Sequence, residues 1–195
     1  MRHSHWLVLT VIVLGLVLGM GYYLNQLGPA EPYPGMGGDF TLDSSQGPVS
    51  LKDLRGKVVP IYFGYTYCPD ICPTSLSALA QALKQLNEHE LDQVQALFIS
   101  VDPERDKLDR LAEYARYFYP AMLGVTGDLE LLQAIAKSYG AFFHKVEIEG
   151  SSIGYAVDHS SIIFVVDRQG ILRQMIQHSN SPQRILESIR EVLAL

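Results

Sequence analysis

The sequence predicts an α/β domain, a mixed β-sheet between helices, carried behind a single N-terminal transmembrane helix. Three observations point there. An uninterrupted apolar run opens the chain. Segments of strand and helix character then alternate. Finally, two cysteines stand where a buried strand passes into a helix.

Trp6 to Leu24 reads WLVLTVIVLGLVLGMGYYL, and no Lys, Arg, Asp or Glu occurs between Trp6 and Ala30. Nineteen residues at 1.5 Å each give about 28 Å of helix, close to the roughly 30 Å of a bilayer's hydrocarbon. A cleaved signal peptide is the rival reading, but its apolar core spans about 7–15 residues and ends in a small-x-small site. Here the run is longer, Tyr22 and Tyr23 sit where an interfacial belt would, and no such site follows. Arg2 precedes the span and no basic residue follows closely, so residues 1–5 stay inside and the rest faces outward. That places the domain in a bacterial periplasm or a mitochondrial intermembrane space. Residues 25–38, with three Pro and four Gly, read as a linker. The globular domain is then 39–195.

Within it, 39–51 alternate around Gln46-Gly47-Pro48 as a hairpin would. Lys57 to Tyr67 is a buried strand rich in Val, Ile, Phe and Tyr. Pro73 opens a helix whose Leu76, Leu79, Leu83 and Leu86 recur on one face. A strand at 94–101, a helix at 106–118, a short strand near Leu123–Thr126 and a helix at 128–139, capped by Gly140, follow. Strands at 141–148, 160–167 and 171–176 come next, the last two joined by a turn at Arg168-Gln169-Gly170. A helix at 182–194, opened by Ser181-Pro182, closes the chain. Alternation ending in a β-hairpin and a helix matches a thioredoxin-like domain.

Composition limits the function. The 195 residues are 48% hydrophobic with a formal charge of −6, which excludes a disordered chain and, with no basic stripe, nucleic-acid binding. Two cysteines are too few for a disulfide scaffold. They lie in Tyr67-Cys68-Pro69-Asp70-Ile71-Cys72-Pro73, at a helix start that favours a thiolate. In a helical turn residues four apart share a face, about 5–6 Å between Cβ atoms, so both sulfurs can meet one ion. A disulfide is equally compatible, since Cα separations up to about 6.8 Å allow one. Spacing alone leaves redox and metal uses open.

Among the histidines, His3 and His5 precede the anchor, while His89 and His178 lie in polar segments. His144, in Phe142-Phe143-His144, reads as a satisfied edge or core residue. His159 differs: it falls in the turn Val157-Asp158-His159-Ser160 before the apolar strand. In a thioredoxin-like domain that loop faces the dithiol and a thiol oxidoreductase carries a proline there. None occurs between Pro120 and Pro182. Two thiolates and an imidazole are a soft set suited to Cu(I), and with a weak extra ligand to Cu(II). A catalytic zinc site needs the same three plus water, but nothing beside it suggests hydrolysis. Asp70, Asp102 and Asp158 are expected to border the dithiol and favour a cation, although each also reads as an ordinary cap or turn residue.

Three segments carry a resemblance: Phe63-Gly64-Tyr65-Thr66-Tyr67-Cys68-Pro69-Asp70-Ile71-Cys72-Pro73, Ser100-Val101-Asp102-Pro103-Glu104-Arg105-Asp106, and Tyr155-Ala156-Val157-Asp158-His159-Ser160. In this order they resemble the Sco/SenC family of copper-binding proteins, over the whole domain and the anchor. The resemblance implies a thioredoxin fold that delivers copper to the binuclear copper site of cytochrome c oxidase subunit II, or keeps that subunit's cysteines reduced. It implies Cys68, Cys72 and His159 as copper ligands, with Asp70 and Asp102 as motif positions that are not direct ligands. An upstream copper donor or thiol reductase is the further partner. On this reading the chain is not an enzyme. The enzymatic alternative is a thiol-disulfide oxidoreductase using Cys68 and Cys72, with Cys68 attacking. A peroxidase fits less well, because Tyr65 stands where Thr or Ser is needed. A passive copper sensor or buffer would use the same ligands.

Overall fold

The computed structural model describes Trp6 and residues 12–22, 30–148, 154–177 and 181–195. The chain divides into two compact units, Met1–Ala30 and Glu31–Leu195. In the first, residues 12–22 are helical, and Ile12, Val13, Leu14, Leu16, Val17, Leu18 and Met20 are exposed. No helix among the described residues is long and apolar enough to cross a membrane. The expected span, 6–24, falls partly on positions outside those residues.

The second unit is built on a five-stranded sheet. The chain forms an antiparallel hairpin of β1 (Thr41–Ser44) and β2 (Gly47–Ser50), a 3-10 turn at Leu51–Leu54, then β3 (Val59–Gly64), α1 (Ile71–Leu83), α2 (Glu88–Leu91) and β4 (Leu97–Ser100). It continues through α3 (Leu108–Phe118), β5 (Leu123–Val125), α4 (Leu129–Ser138), β6 (Phe143–Glu147), β7 (Tyr155–His159), β8 (Ile162–Val166), β9 (Leu172–Gln177) and α5 (Pro182–Leu193). Sheet order is β5-β4-β3-β8-β9. β3, β4 and β5 run parallel, and β8 and β9 are antiparallel to their neighbours. This is the mixed sheet with flanking helices that the alternation predicts.

The central strands explain themselves. β3 and β4 are buried at every position, as continuous apolar runs covered on both faces should be. The predicted inward face of the first helix is buried in full: Leu76, Leu79, Leu83 and Leu86 all lie in the core. α1 begins two residues before Pro73, which takes the third helical position, where its missing N–H costs no helical bond. α4 starts on Asp128, whose side chain accepts from the Leu131 N–H, and ends at Gly140, with φ +70°. A Cβ at Gly140 would collide with the Met36 side chain. Residues 33–38 run along that helix end, with the Gly37 N–H on the Ser138 carbonyl and the Tyr139 hydroxyl on the Gly38 carbonyl.

One element departs from expectation. Residues 157–159, read as part of a turn at 157–160, instead end β7, which pairs with β6 in a separate two-stranded sheet. Only Val157 of β7 is buried, so apolar periodicity is nearly silent there and pairing with the mostly exposed β6 supplies the strand.

Topology then gathers one end of the sheet. β3 and β4 are parallel neighbours, so the loops leaving Gly64 and Ser100 emerge side by side. β8 runs antiparallel to β3, so the residues entering it arrive at that same end. All three quoted sequence motifs therefore converge.

Candidate metal centre

Cys68 lies in the loop after β3 and is partly exposed, whereas Cys72, in the first turn of α1, is 0% exposed. Both are free thiols. The side chain of Asp70, at the helix N-cap, makes no capping bond. The Cys68 sulfur accepts the Cys72 N–H instead, at 3.4 Å, so a sulfur occupies the place of the capping oxygen at the positive end of the helix.

Gly64 is the reason Cys72 fits. A Cβ there would lie 2.7 Å from the Cys72 Sγ, with Phe98 and Tyr62 rings at 3.0 and 3.1 Å. The thiol rests against bare backbone at the end of β3.

His159, the last residue of β7, brings its Nε2 to 3.3 Å from the Cys72 Sγ. Its Nδ1 lies 3.2 Å from the Ser160 carbonyl. A carbonyl only accepts, so Nδ1 carries the proton and Nε2 keeps its lone pair for a metal or a thiol proton. The edges of Tyr62 and Tyr65 flank the imidazole, with ring centroids 6.1 and 5.8 Å away. The sulfurs of Cys68 and Cys72 and a nitrogen of His159 lie within 4.8 Å of one another. Two sulfurs and an imidazole so disposed are a soft donor set able to share one ion.

The paired thiols share protons unequally. A hydrogen bond from Cys72 lowers the Cys68 pKa to about 4 against the opposing effect of burial, with further help from the backbone N–H groups of Cys72 and Asp70. Burial, then the hydrogen bond and charge of Cys68, push the Cys72 thiol far up. Cys68 is therefore the thiolate and Cys72 the proton holder. Alkylation of Cys68 by iodoacetamide in the metal-free protein is expected to titrate with a midpoint at about 4, near that depressed pKa. The rate should stay flat through neutrality, with Cys72 unmodified. A midpoint in the ordinary thiol range would contradict this assignment.

The three aspartates expected to border the dithiol contribute no side chain to the donor cluster. Asp70 turns its carboxylate toward the Thr74 hydroxyl, 3.4 Å away, and presents its N–H to Cys68. Asp102 is 1% exposed and fully engaged: it accepts from Arg105 Nε at 2.5 Å and from the Tyr155 hydroxyl at 2.8 Å. Asp158 points to solvent beside His144, 3.6 Å away, because strand alternation sends it opposite to His159. His144 is itself exposed on the edge strand β6 with Asp158 beside it, so the edge half of the edge-or-core reading holds and the core half does not. His89 is exposed. His3, His5 and His178 lie outside the described residues.

Sequence reasoning passed over the residues that hold this site together. Asp106, 1% exposed, accepts from the Thr66 N–H and hydroxyl and from the Ser100 hydroxyl. Arg105 stacks on Tyr155 and Tyr67, at 3.6 and 4.9 Å from the ring centroids. Both stand inside the quoted Ser100–Asp106 segment. The available signal was charge at the end of a buried strand, which does not distinguish a structural pair from a solvated one.

With this geometry in hand, relatives can be compared. A family model described as SCO1/SenC matches residues 29–194. A SCO2-like protein of Rickettsia felis is 34% identical over 194 residues, covering 92% of this chain and 94% of its own. The mitochondrial SCO2 homolog of Bos taurus is 39% identical over 159 residues, covering 80% of this chain and 59% of its own. Among solved structures, Arabidopsis thaliana ScoI with copper bound superposes with a TM-score of 0.75. It is 34% identical, and the match covers 82% of this chain and 99% of that one.

Proposed function

The chain belongs to the SCO1/SenC family, and from that premise we propose that it is a membrane-anchored copper metallochaperone for cytochrome c oxidase. The observation that carries this reading is the convergence of Cys68, Cys72 and His159 within 4.8 Å. Copper is the cargo, as Cu(I) or Cu(II), held by two sulfurs and the His159 Nε2. The copper-bound plant relative supports the choice of metal. The recipient is the binuclear copper site of subunit II. Partly exposed Cys68 is the ligand an incoming recipient thiolate displaces first, with buried Cys72 the last to let go.

The anchor reading rests on the apolar 6–24 segment, and the exposed Ile12–Met20 side chains support it. Residues 1–5 then lie inside, 25–38 tether the domain, and 39–195 hold the copper. The compartment is a periplasm or a mitochondrial intermembrane space. A mitochondrial relative and a SCO1/SenC family lipoprotein of Bacillus anthracis fit such a membrane-bound setting.

One observation favours a second reading. Cys68 is partly exposed and accepts the Cys72 N–H at the helix start, a setting that lowers its pKa and suits a thiol-disulfide reductase, in which Cys68 attacks a disulfide of subunit II and Cys72 resolves the mixed disulfide. One experiment separates the two. Residues 31–195, loaded with Cu(I) under anaerobic conditions, are mixed with the reduced metal-free copper domain of subunit II. Copper is then counted on each after separation. Movement of copper to subunit II supports the chaperone. No movement, together with reduction of an oxidised subunit II by the metal-free protein, would replace it with the reductase.

A further inference from the structure

Among the described residues, β6 and β7 pair with each other and not with the main sheet, so beyond the short link from His159 into β8 it falls to side chains to fix the hairpin against the cysteines. On the far end of β7 that task falls to Tyr155. Its hydroxyl donates to Asp102, its carbonyl accepts from Arg105 Nη1 at 2.9 Å, and its ring lies 3.6 Å beneath the Arg105 guanidinium. Lys145 of β6 adds a contact to the same ring and an ion pair to Glu104.

The other side of Arg105 faces the dithiol loop. Tyr67 and Tyr65, which bracket Thr66 just before Cys68, have their rings 4.9 and 5.7 Å from its guanidinium. Tyr65 in turn abuts His159 and takes a hydrogen bond from the Val157 backbone. Asp102 holds the guanidinium flat through Nε, and guanidinium stacking on aromatic faces strengthens as water is excluded. One side chain thus touches both the element that carries the cysteines and the element that carries the histidine.

Resting on the ligand set proposed above, we propose that Asp102, Arg105 and Tyr155 form a joint that positions His159 over Cys68 and Cys72. Closed, the joint completes the three-donor site. Opened, it leaves a dithiol alone, from which a recipient can take the metal. Arg105 and Tyr155 are positioning residues, acting on copper only through His159.

Tyr155→Leu tests this while leaving the Asp102–Arg105 pair intact, and Tyr155→Phe removes the hydroxyl alone. In the metal-free protein, amide hydrogen exchange in β6 and β7 should quicken in Tyr155→Leu, with β3 and β4 unchanged. Cu(I) affinity, measured against a chromophoric chelator, should weaken by about tenfold, the lower end for a lost outer partner of a ligand. It should weaken less in Tyr155→Phe, and not at all when His159→Ala is already present. Unchanged hairpin exchange, or an equal loss of affinity with and without His159, overturns the joint. His159→Ala binding Cu(I) as tightly as wild type would instead overturn the ligand set, a result the exchange measurement does not depend on.

Discussion

Cys72→Ser is expected to abolish copper retention, taking anaerobic stoichiometry on residues 31–195 from about one copper per chain, the yield of a single soft site, to background. The argument rests on where Cys72 sits. Its sulfur is buried against the bare backbone of Gly64 and faces His159 Nε2, so it is the donor held most firmly in place. A serine fills nearly the same volume and keeps one proton to donate, so the domain should melt close to wild type. What changes is donor softness, which selects Cu(I). Cys68→Ser should have the same outcome, because one thiolate and one imidazole then remain. Both losses should exceed the roughly 10–100-fold cost of removing a group that merely supports a ligand. Full copper retention by Cys72→Ser, in folded protein challenged with a chelator, would remove the dithiol from the site.

Legibility in the sequence followed burial. β3, β4 and β8 are apolar at every or nearly every position, and the Leu76, Leu79, Leu83 repeat marks the inward face of α1, so strand and helix types and their order could be read directly. β7 could not, since it has one buried residue and pairs with a mostly exposed strand, which leaves little apolar alternation to read. The same contrast governs the site. Cysteines are rare here, and their place at a strand-to-helix junction is informative by itself. His159 stood out from five other histidines because it precedes a strand adjacent to β3.

The aspartates could not be sorted in this way. A carboxylate that binds a cation and one that clamps an arginine look alike in sequence. Position at a strand end and charge place Asp102 beside the dithiol in sequence, and an ordinary turn residue reads the same way. Its oxygens are taken by Arg105 and Tyr155, partners 3 and 53 positions away, and only the fold brings the second within reach. Asp106 received no role for the same reason: its partner Thr66 lies 40 residues back.

Asp106→Ala is the substitution expected to cost the fold most. The carboxylate is buried between the loop after β3 and the start of α3, and it takes the Thr66 N–H at 2.9 Å and the Thr66 and Ser100 hydroxyls at 2.6 Å each. Arg110 Nε donates to the Thr66 hydroxyl at 2.9 Å, which fixes that hydroxyl's proton on Asp106. Truncation strands three donors in a dry site at once, and removing one member of a buried charged network costs about 3–5 kcal/mol. For a unit of this size that corresponds to a melting temperature lower by roughly 10 °C. Asp106→Asn should lose less, because its amide oxygen still accepts while its NH2 opposes a donor. The damage should also reach the metal, since Thr66 is two residues from Cys68. Well below the melting transition, Cu(I) affinity in Asp106→Asn should therefore fall even though no ligand has changed. Melting of Asp106→Ala within about 2 °C of wild type, less than the shift expected from 1 kcal/mol, would mean that water replaces the carboxylate and that the Cys68 loop is held by other contacts.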